Sequence, residues 1–211
     1  MEHRMENAKV IINIGRQLGS GGRQIGRMLA DRLQLAYYDR ELVREASKAS
    51  GLCRDCFEKA DEKRNRSLSG LLGLGIFGNT GFGGLSNEEL FKIQGRVIDR
   101  LAEESSSVFV GRCADYILRH RPECFNVFVC APLAYRVAQI ALQLGITAEE
   151  AEERILKTDK ARAAYYNFYT GRVWGQADGY HLCIDTSVLG PEKTADFIET
   201  MLRRRLQAHT V

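Results

Sequence analysis

The stretch Gly15-Arg16-Gln17-Leu18-Gly19-Ser20-Gly21-Gly22-Arg23-Gln24-Ile25-Gly26, preceded by the apolar run Val10-Ile11-Ile12-Asn13-Ile14, reads as a strand, a glycine-rich loop and a helix. Glycines at this density leave backbone N–H groups to converge on an anion, and the helix that follows adds the positive end of its dipole at the same point. The segment therefore predicts phosphate binding. It departs from the standard phosphate loop, G-x-x-x-x-G-K-[ST], which puts a lysine on the β- and γ-phosphates and a hydroxyl on Mg²⁺. Here Gly22 stands at the lysine position and Arg23-Gln24 follow, with no Ser or Thr.

Outward from this loop, strand signals at residues 9–14, 35–38, 107–110, 125–130 and 181–184 alternate with helical patterns, which predicts an α/β fold with a five-stranded parallel sheet. The first helix, 22–33, carries Ile25, Leu29 and Leu33 on one face, so it packs on the sheet with its N-terminus toward the loop. Ser86-Asn87-Glu88-Glu89 is a capping-box pattern, and Pro132, Thr147-Ala148-Glu149-Glu150 and Gly190-Pro191 open three further helices. With 211 residues and 45% hydrophobic content, the chain supports one domain, 1–211, with a mobile subdomain. Thirty basic and 27 acidic residues leave a net charge of +3, too mild for bulk nucleic-acid binding. No run of about 18 apolar residues occurs, and residues 1–9 are polar, so neither a membrane span nor secretion is expected and the cytoplasm is the expected compartment. Six cysteines suit reduced thiols; Cys53-Arg54-Asp55-Cys56 lacks a second ligand pair, so no protein metal site is expected.

In open α/β sheets ligands sit beyond the carboxyl ends of the strands, where this chain gathers charge. The first strand is followed by the loop with Arg16 and Arg23, the second by Asp39-Arg40-Glu41, the third by Gly111-Arg112 and the fifth by Asp185-Thr186-Ser187. Arg112 reads as a fork for a phosphate, with a surface ion pair as the alternative. Asp39 reads equally as a helix N-cap or a substrate contact. Arg16, more than Arg23, is the candidate for the positive charge that the missing lysine would have given. Lys157 to Tyr169 mixes cations with aromatic rings, reading either as a lid in which Arg162 swings onto transferring phosphate or as a basic helix packing its tyrosines on the core. Residues 67–85 hold seven glycines with leucines and two phenylalanines. They read as a flap, a linker or an oligomer contact. Arg203-Arg204-Arg205 reads as a solvated helix end, and Trp174 as either a reporter of lid closure or core filling.

Taken together, RQLGSGGRQIG, YYDREL, VFVGRCADYIL, DKARAAYYNFYTG and YHLCIDTSVLG resemble the cytidylate kinase-like family, relatives of cytidylate and adenylate kinases, over roughly residues 10–190. The resemblance implies a three-layer P-loop fold with a substrate-binding insertion at 40–86 and a short lid at 157–176. It implies ATP and Mg²⁺ as cofactors, with a γ-phosphoryl group passed to a nucleoside monophosphate or similar phosphorylated acceptor. By that resemblance Gly19, Ser20, Gly21, Gly22, Arg23 and Gln24 surround the donor phosphates. Arg16, Arg112, Asp159 and Arg162 are the catalytic candidates, and Asp39, Arg40, Arg112 and Asp185 contact the acceptor. A nucleotide-binding module without transfer is the alternative, and homo-oligomerisation is left open. The family's Gly-Lys-Gly-Thr becomes Gly21-Gly22-Arg23-Gln24, its Gly-Arg-Asp becomes Gly111-Arg112-Cys113, and its Asp-Ser-Gly becomes Asp39-Arg40-Glu41. The last change removes residues that read a pyrimidine nucleotide.

Overall fold

The computed structural model describes residues 9–40 and 87–208. The CxxC pair, residues 67–85, Ser86 and most of the 40–86 insertion lie outside them. Strand β1 (Ile11–Arg16) runs into the glycine loop and helix α1 (Gly22–Leu33), then β2 (Ala36–Tyr38). Helix α2 (Asn87–Glu104), β3 (Ser107–Val110), the single turn α3 (Ala114–Ile117) and β4 (Cys124–Cys130) follow. Helices α4 (Leu133–Leu144) and α5 (Ala148–Thr170), strand β5 (Leu182–Asp185) and helix α6 (Thr186–Ala208) complete the described chain. The sheet order is β2-β3-β1-β4-β5 and every pairing is parallel.

The central strands β1, β3 and β4 are buried on both faces, which is why they read as continuous apolar runs, while the edge strands β2 and β5 are half-buried. On one face Ile12, Ile14, Val108, Val110, Val127 and Val129 meet Ile25 and Leu29 of α1 and Ala195, Ile198 and Leu202 of α6. On the other, Ile11, Phe109 and Cys124 meet Ile98 and Ala102 of α2 and Ala114 and Leu118. Each fully buried aliphatic side chain contributes about 1.5–3 kcal/mol, so these two layers carry the fold. Gly26 sets how closely α1 approaches the sheet: a Cβ there would lie 2.8 Å from Val110 Cγ2 and 3.2 Å from Ile14 Cδ1.

The sequence pattern and the structure differ in detail. Strand β5 begins at Leu182, not His181, because His181 spans Asn126 instead of joining the ladder. Its N–H donates to Asn126 O and its Nδ1 accepts from Asn126 N, both at 2.8 Å. The helix expected from Gly190-Pro191 is preceded by a turn from Thr186; Gly190, at φ 72° and ψ 166°, breaks the two apart. Thr147 opens α5 by a complete capping box with Glu150. That helix continues without a break to Thr170, so residues 157–170 form its C-terminal half.

Candidate active site

Beyond the end of β1 the chain folds back over the sheet edge. Gln17 N donates to Val129 O at 3.0 Å, and Gly19 and Gly21 then take φ 81° and 79°, which side-chain-bearing residues rarely adopt. Gly19 has a second reason to be glycine, since a Cβ there would lie 2.8 Å from Arg136 O. Among the described residues the N–H groups of Gly19, Gly21 and Gly22 donate to no protein acceptor, and Gly21, the N-cap of α1, has no side chain to cap it. The loop therefore presents unsatisfied donors at a helix N-terminus, a ready anion site. Ser20 does the opposite. It is buried, its Oγ donates to Gln17 O and Val129 O, and its carbonyl accepts from Thr186 Oγ1 at 2.8 Å, so it builds the loop from behind.

Gly22 marks where the lysine is missing, and the structure gives the reason. A Cβ on Gly22 would lie 2.5 Å from Arg16 Cβ and 3.0 Å from Arg16 Cγ. The Arg16 side chain fills that space and then crosses to β3, where a Cβ on Gly111 would collide with Arg16 Nη1. Arg16 thus passes between two glycines that exist at the size its stem and head require. Its guanidinium makes no side-chain hydrogen bond or ion pair among the described residues, and burial, followed by the fields of Arg162 and Arg112, pushes its pKa down to about 9. It remains a cation at neutral pH, with no direct ion-pair partner among the described residues and the more distant field of Asp159 opposing its neighbours.

Two other arginines complete that field. Gly111, Arg112 and Cys113 have consecutive positive φ values of 78°, 60° and 55°, a conformation costing about 1–2 kcal/mol for each residue with a Cβ. This turn projects Arg112 toward Gln94 Oε1, 3.5 Å away, and Tyr165. Burial, then Arg40, lowers the Arg112 pKa. Arg162, from α5, donates to the Arg16 carbonyl at 3.1 Å, and its pKa is also lowered, first by burial. Arg16, Arg40, Arg112 and Arg162 thus come from four chain segments into one field. A Gly111→Ala substitution, whose new methyl displaces the Arg16 guanidinium, is expected to weaken ATP binding without abolishing it while the protein still folds; calorimetric titration with ATP, alongside circular dichroism, checks it.

Asp159 reaches the glycine loop from α5. Its Oδ1 accepts from Leu18 N at 2.9 Å and its Oδ2 from Arg136 Nη1 at 2.7 Å, with Arg162 Nη1 3.4 Å away. It fastens α5 to the glycine loop. Burial pushes its carboxyl up, against the pull of Leu18 N–H and the two arginines. Arg136, buried in α4, also donates to Ala131 O and Leu18 O, and Gln17 Oε1 accepts from Ala131 N. Sequence reading passed over Arg136; its only signal was a lone cation in the apolar run LAYRVAQIAL. Arg23 lies over Asp39, donating from Nε and Nη2 to Oδ2 at 2.9 and 2.5 Å, so the two residues form an ion pair between α1 and the end of β2. Gln24 is exposed on the first turn of α1, and Asp185 Oδ1 accepts from Ser187 N at 2.8 Å, closing the turn into α6. Trp174 sits edge-on to Phe128, ring centroids 5.3 Å apart.

Beneath the rim, Asp115 is buried and accepts from Tyr166 Oη at 2.6 Å. Burial raises its pKa, so the folded protein binds more protons here than the unfolded chain, and stability falls as pH rises from the ordinary carboxylate range through the raised value. Comparing melting temperature against pH for the wild type and Asp115→Asn is expected to show this downward contribution lost in the variant.

A glycine loop over the carboxyl edge of a 2-3-1-4-5 parallel sheet, faced by converging arginines, defines an α/β protein of the P-loop kinase type. The chain belongs to the cytidylate kinase-like family, whose model matches residues 11–188. It is similar to a cytidylate kinase of Methanopyrus kandleri, 25% identical over 94% of this chain and 95% of that protein. It is also similar to a cytidylate kinase of Ignicoccus hospitalis, 32% identical over 36% of this chain and 45% of that protein. Among solved structures, an uncharacterized protein from Eubacterium ventriosum superposes with a TM-score of 0.73 and 26% identity, covering 93% of this chain and 99% of that one. Shikimate kinase from Acinetobacter baumannii shares the fold at a TM-score of 0.53 and 15% identity, covering 97% and 98%.

Kinases of this fold work with ATP and Mg²⁺, and the donor set here fits the two differently. The arginines and open N–H groups suit a polyphosphate. A loop-held Mg²⁺ is not matched: no hydroxyl follows Gly22, Ser20 is turned inward, and Asp39 and Asp159 are bound by arginines. Among the described residues no cluster of three or more His, Cys, Asp or Glu side chains forms a metal site, and no helix is long and apolar enough to cross a membrane.

Proposed function

We propose that this protein is an ATP-dependent small-molecule kinase that transfers the γ-phosphoryl group to a nucleoside monophosphate or a similar phosphorylated acceptor. The observation that carries the reading is the Arg16 side chain occupying the space beside Gly22 where a phosphate-loop lysine would start. The open N–H groups of Gly19, Gly21 and Gly22 receive the donor phosphates. Arg16 reaches the bridging region from the strand side, Arg112 takes the acceptor phosphate, and Arg162 covers the transferring group from α5. An acceptor oxygen attacks the γ-phosphorus as its bond to the β–γ bridging oxygen breaks, and ADP leaves with that electron pair. The transition state spreads negative charge over the γ-oxygens, and cations already fixed in a partly buried site stabilise it without reorganising.

The excess of positive charge where Arg16, Arg112 and Arg162 meet also predicts that a polyanion stabilises the fold. ATP at about 100 times its dissociation constant is worth about 2.7 kcal/mol, which raises the melting temperature by roughly 5–10 °C for a domain of this size. Thermal shift with ATP, ADP and adenosine checks this, adenosine being expected to give no rise. The activity itself is tested by ATP consumption against a panel of nucleoside monophosphates and unphosphorylated small molecules, with Arg112→Ala as control. Acceptor-dependent turnover lost in the control supports the kinase. Binding of ATP with no turnover on any acceptor supports the non-transferring module.

A further inference from the structure

We infer that this site neutralises its polyphosphate ligand with arginine alone, so that it takes the free anion and not the magnesium complex. The inference rests on the nucleotide reading above and deepens it. Three independent placements carry it. The hydroxyls closest to the loop are internal: Ser20 Oγ donates to Gln17 O and Val129 O, and Thr186 Oγ1 to Ser20 O and Cys130 O, which leaves neither aimed at the phosphate side. Among the described residues the carboxylates nearest the arginines are already held by fixed partners: Asp39 by Arg23, and Asp159 by Arg136, Arg162 and Leu18 N–H. Asp185 accepts a backbone N–H two residues on and lies on β5, two strands from β1 and three from β3.

The charge at the centre points the same way. The geometry gathers Arg16, Arg112 and Arg162 into one buried place; burial first, then Arg162 and Arg112 acting on Arg16 and Arg40 acting on Arg112 and Arg162, lowers their pKa values, as expected of like charges brought together before any ligand enters. A divalent cation is repelled by that arginine field and finds, among the described residues, no uncommitted hard oxygen to replace its water. Free ATP carries about four negative charges at neutral pH and its magnesium complex about two, so the arginine field favours the free form by simple Coulomb attraction. In a standard phosphate loop one lysine and one hydroxyl-bound cation share the neutralisation. Here the lysine has moved to the strand as Arg16, and Arg23, next in the chain, has closed on the carboxylate at the end of β2.

The test is calorimetric titration of the full chain with ATP, and separately with inorganic tripolyphosphate, in EDTA and in excess Mg²⁺ at constant ionic strength. The expected result is affinity in EDTA equal to or tighter than in Mg²⁺ for both probes, with binding weakened by added NaCl. ATP binding that weakens about tenfold or more in EDTA overturns the inference and leaves the kinase reading standing. Failure of both probes to bind in either condition overturns the two together. Gln24→Thr, which restores a hydroxyl to the first turn of α1 at an exposed position, is expected to make ATP affinity rise with Mg²⁺; unchanged insensitivity in that variant counts against a missing hydroxyl as the cause.

Discussion

Replacing Arg16 by alanine is expected to lower turnover by roughly 10³- to 10⁵-fold, the scale on which an arginine that meets transferring phosphate contributes. The side chain lies between Gly22 and Gly111, and no other cation occupies the lysine's place in the loop. The loss falls mainly on kcat, because the loop N–H groups and Arg112 still bind ground-state phosphate. Stability moves the other way. Arg16 is a buried cation with no direct ion-pair partner among the described residues, and burial, then Arg162 and Arg112, pulls its pKa down to about 9, so its removal relieves repulsion with those two arginines. Steady-state kinetics and a melting curve on one preparation check both halves: slower turnover with an equal or higher melting temperature.

Asp159→Ala is expected to produce the largest loss of stability of any single substitution at the site. Its carboxylate satisfies the Leu18 N–H and pairs with Arg136, whose side chain is only 8% exposed, so truncation strands a buried cation and a backbone donor together. Breaking such a pair costs about 3–5 kcal/mol, a fall in melting temperature on the order of 10 °C. Asp159→Asn keeps an acceptor for Leu18 N–H and removes only the charge, so it is expected to lose less. Chemical denaturation of the two variants separates the hydrogen bond from the ion pair. A role confined to catalysis would leave both midpoints unchanged.

The sequence was most informative where one physical signal dominates. The run Val10 to Ile14 against Ile25 and Leu29 marks a change of hydrophobic period that defines strand, loop and helix, and Ser107–Val110 agrees at both ends. The Thr147–Glu150 capping box did the same for α5. Boundaries shifted where a side chain competes with the ladder, as His181 does at Asn126. The approach of Arg16 to Arg112 was legible because strand ends in a parallel sheet face one edge, whereas Arg162 comes from α5 and was marked only by its place in a tract of cations and aromatic rings. The sharing of space by Arg16 and Gly22 was not: these positions are six apart, and only the turn of the loop brings one's side chain into the other's place. Asp159 and Arg136 were missed as a fastening for the same reason, since their partner is the backbone of Leu18, far away in the chain.

The claim that Arg16 has taken over from the phosphate-loop lysine is tested most directly by exchanging the two. ATP affinity and acceptor-dependent turnover are measured for wild type, Arg16→Ala, Gly22→Lys and the double variant. The account predicts that Gly22→Lys alone is damaging, because its β-carbon meets Arg16 Cβ at 2.5 Å, and that the double variant recovers a substantial part of what each single change loses. Additive losses in the double variant, or an Arg16→Ala protein as active as wild type, would contradict it.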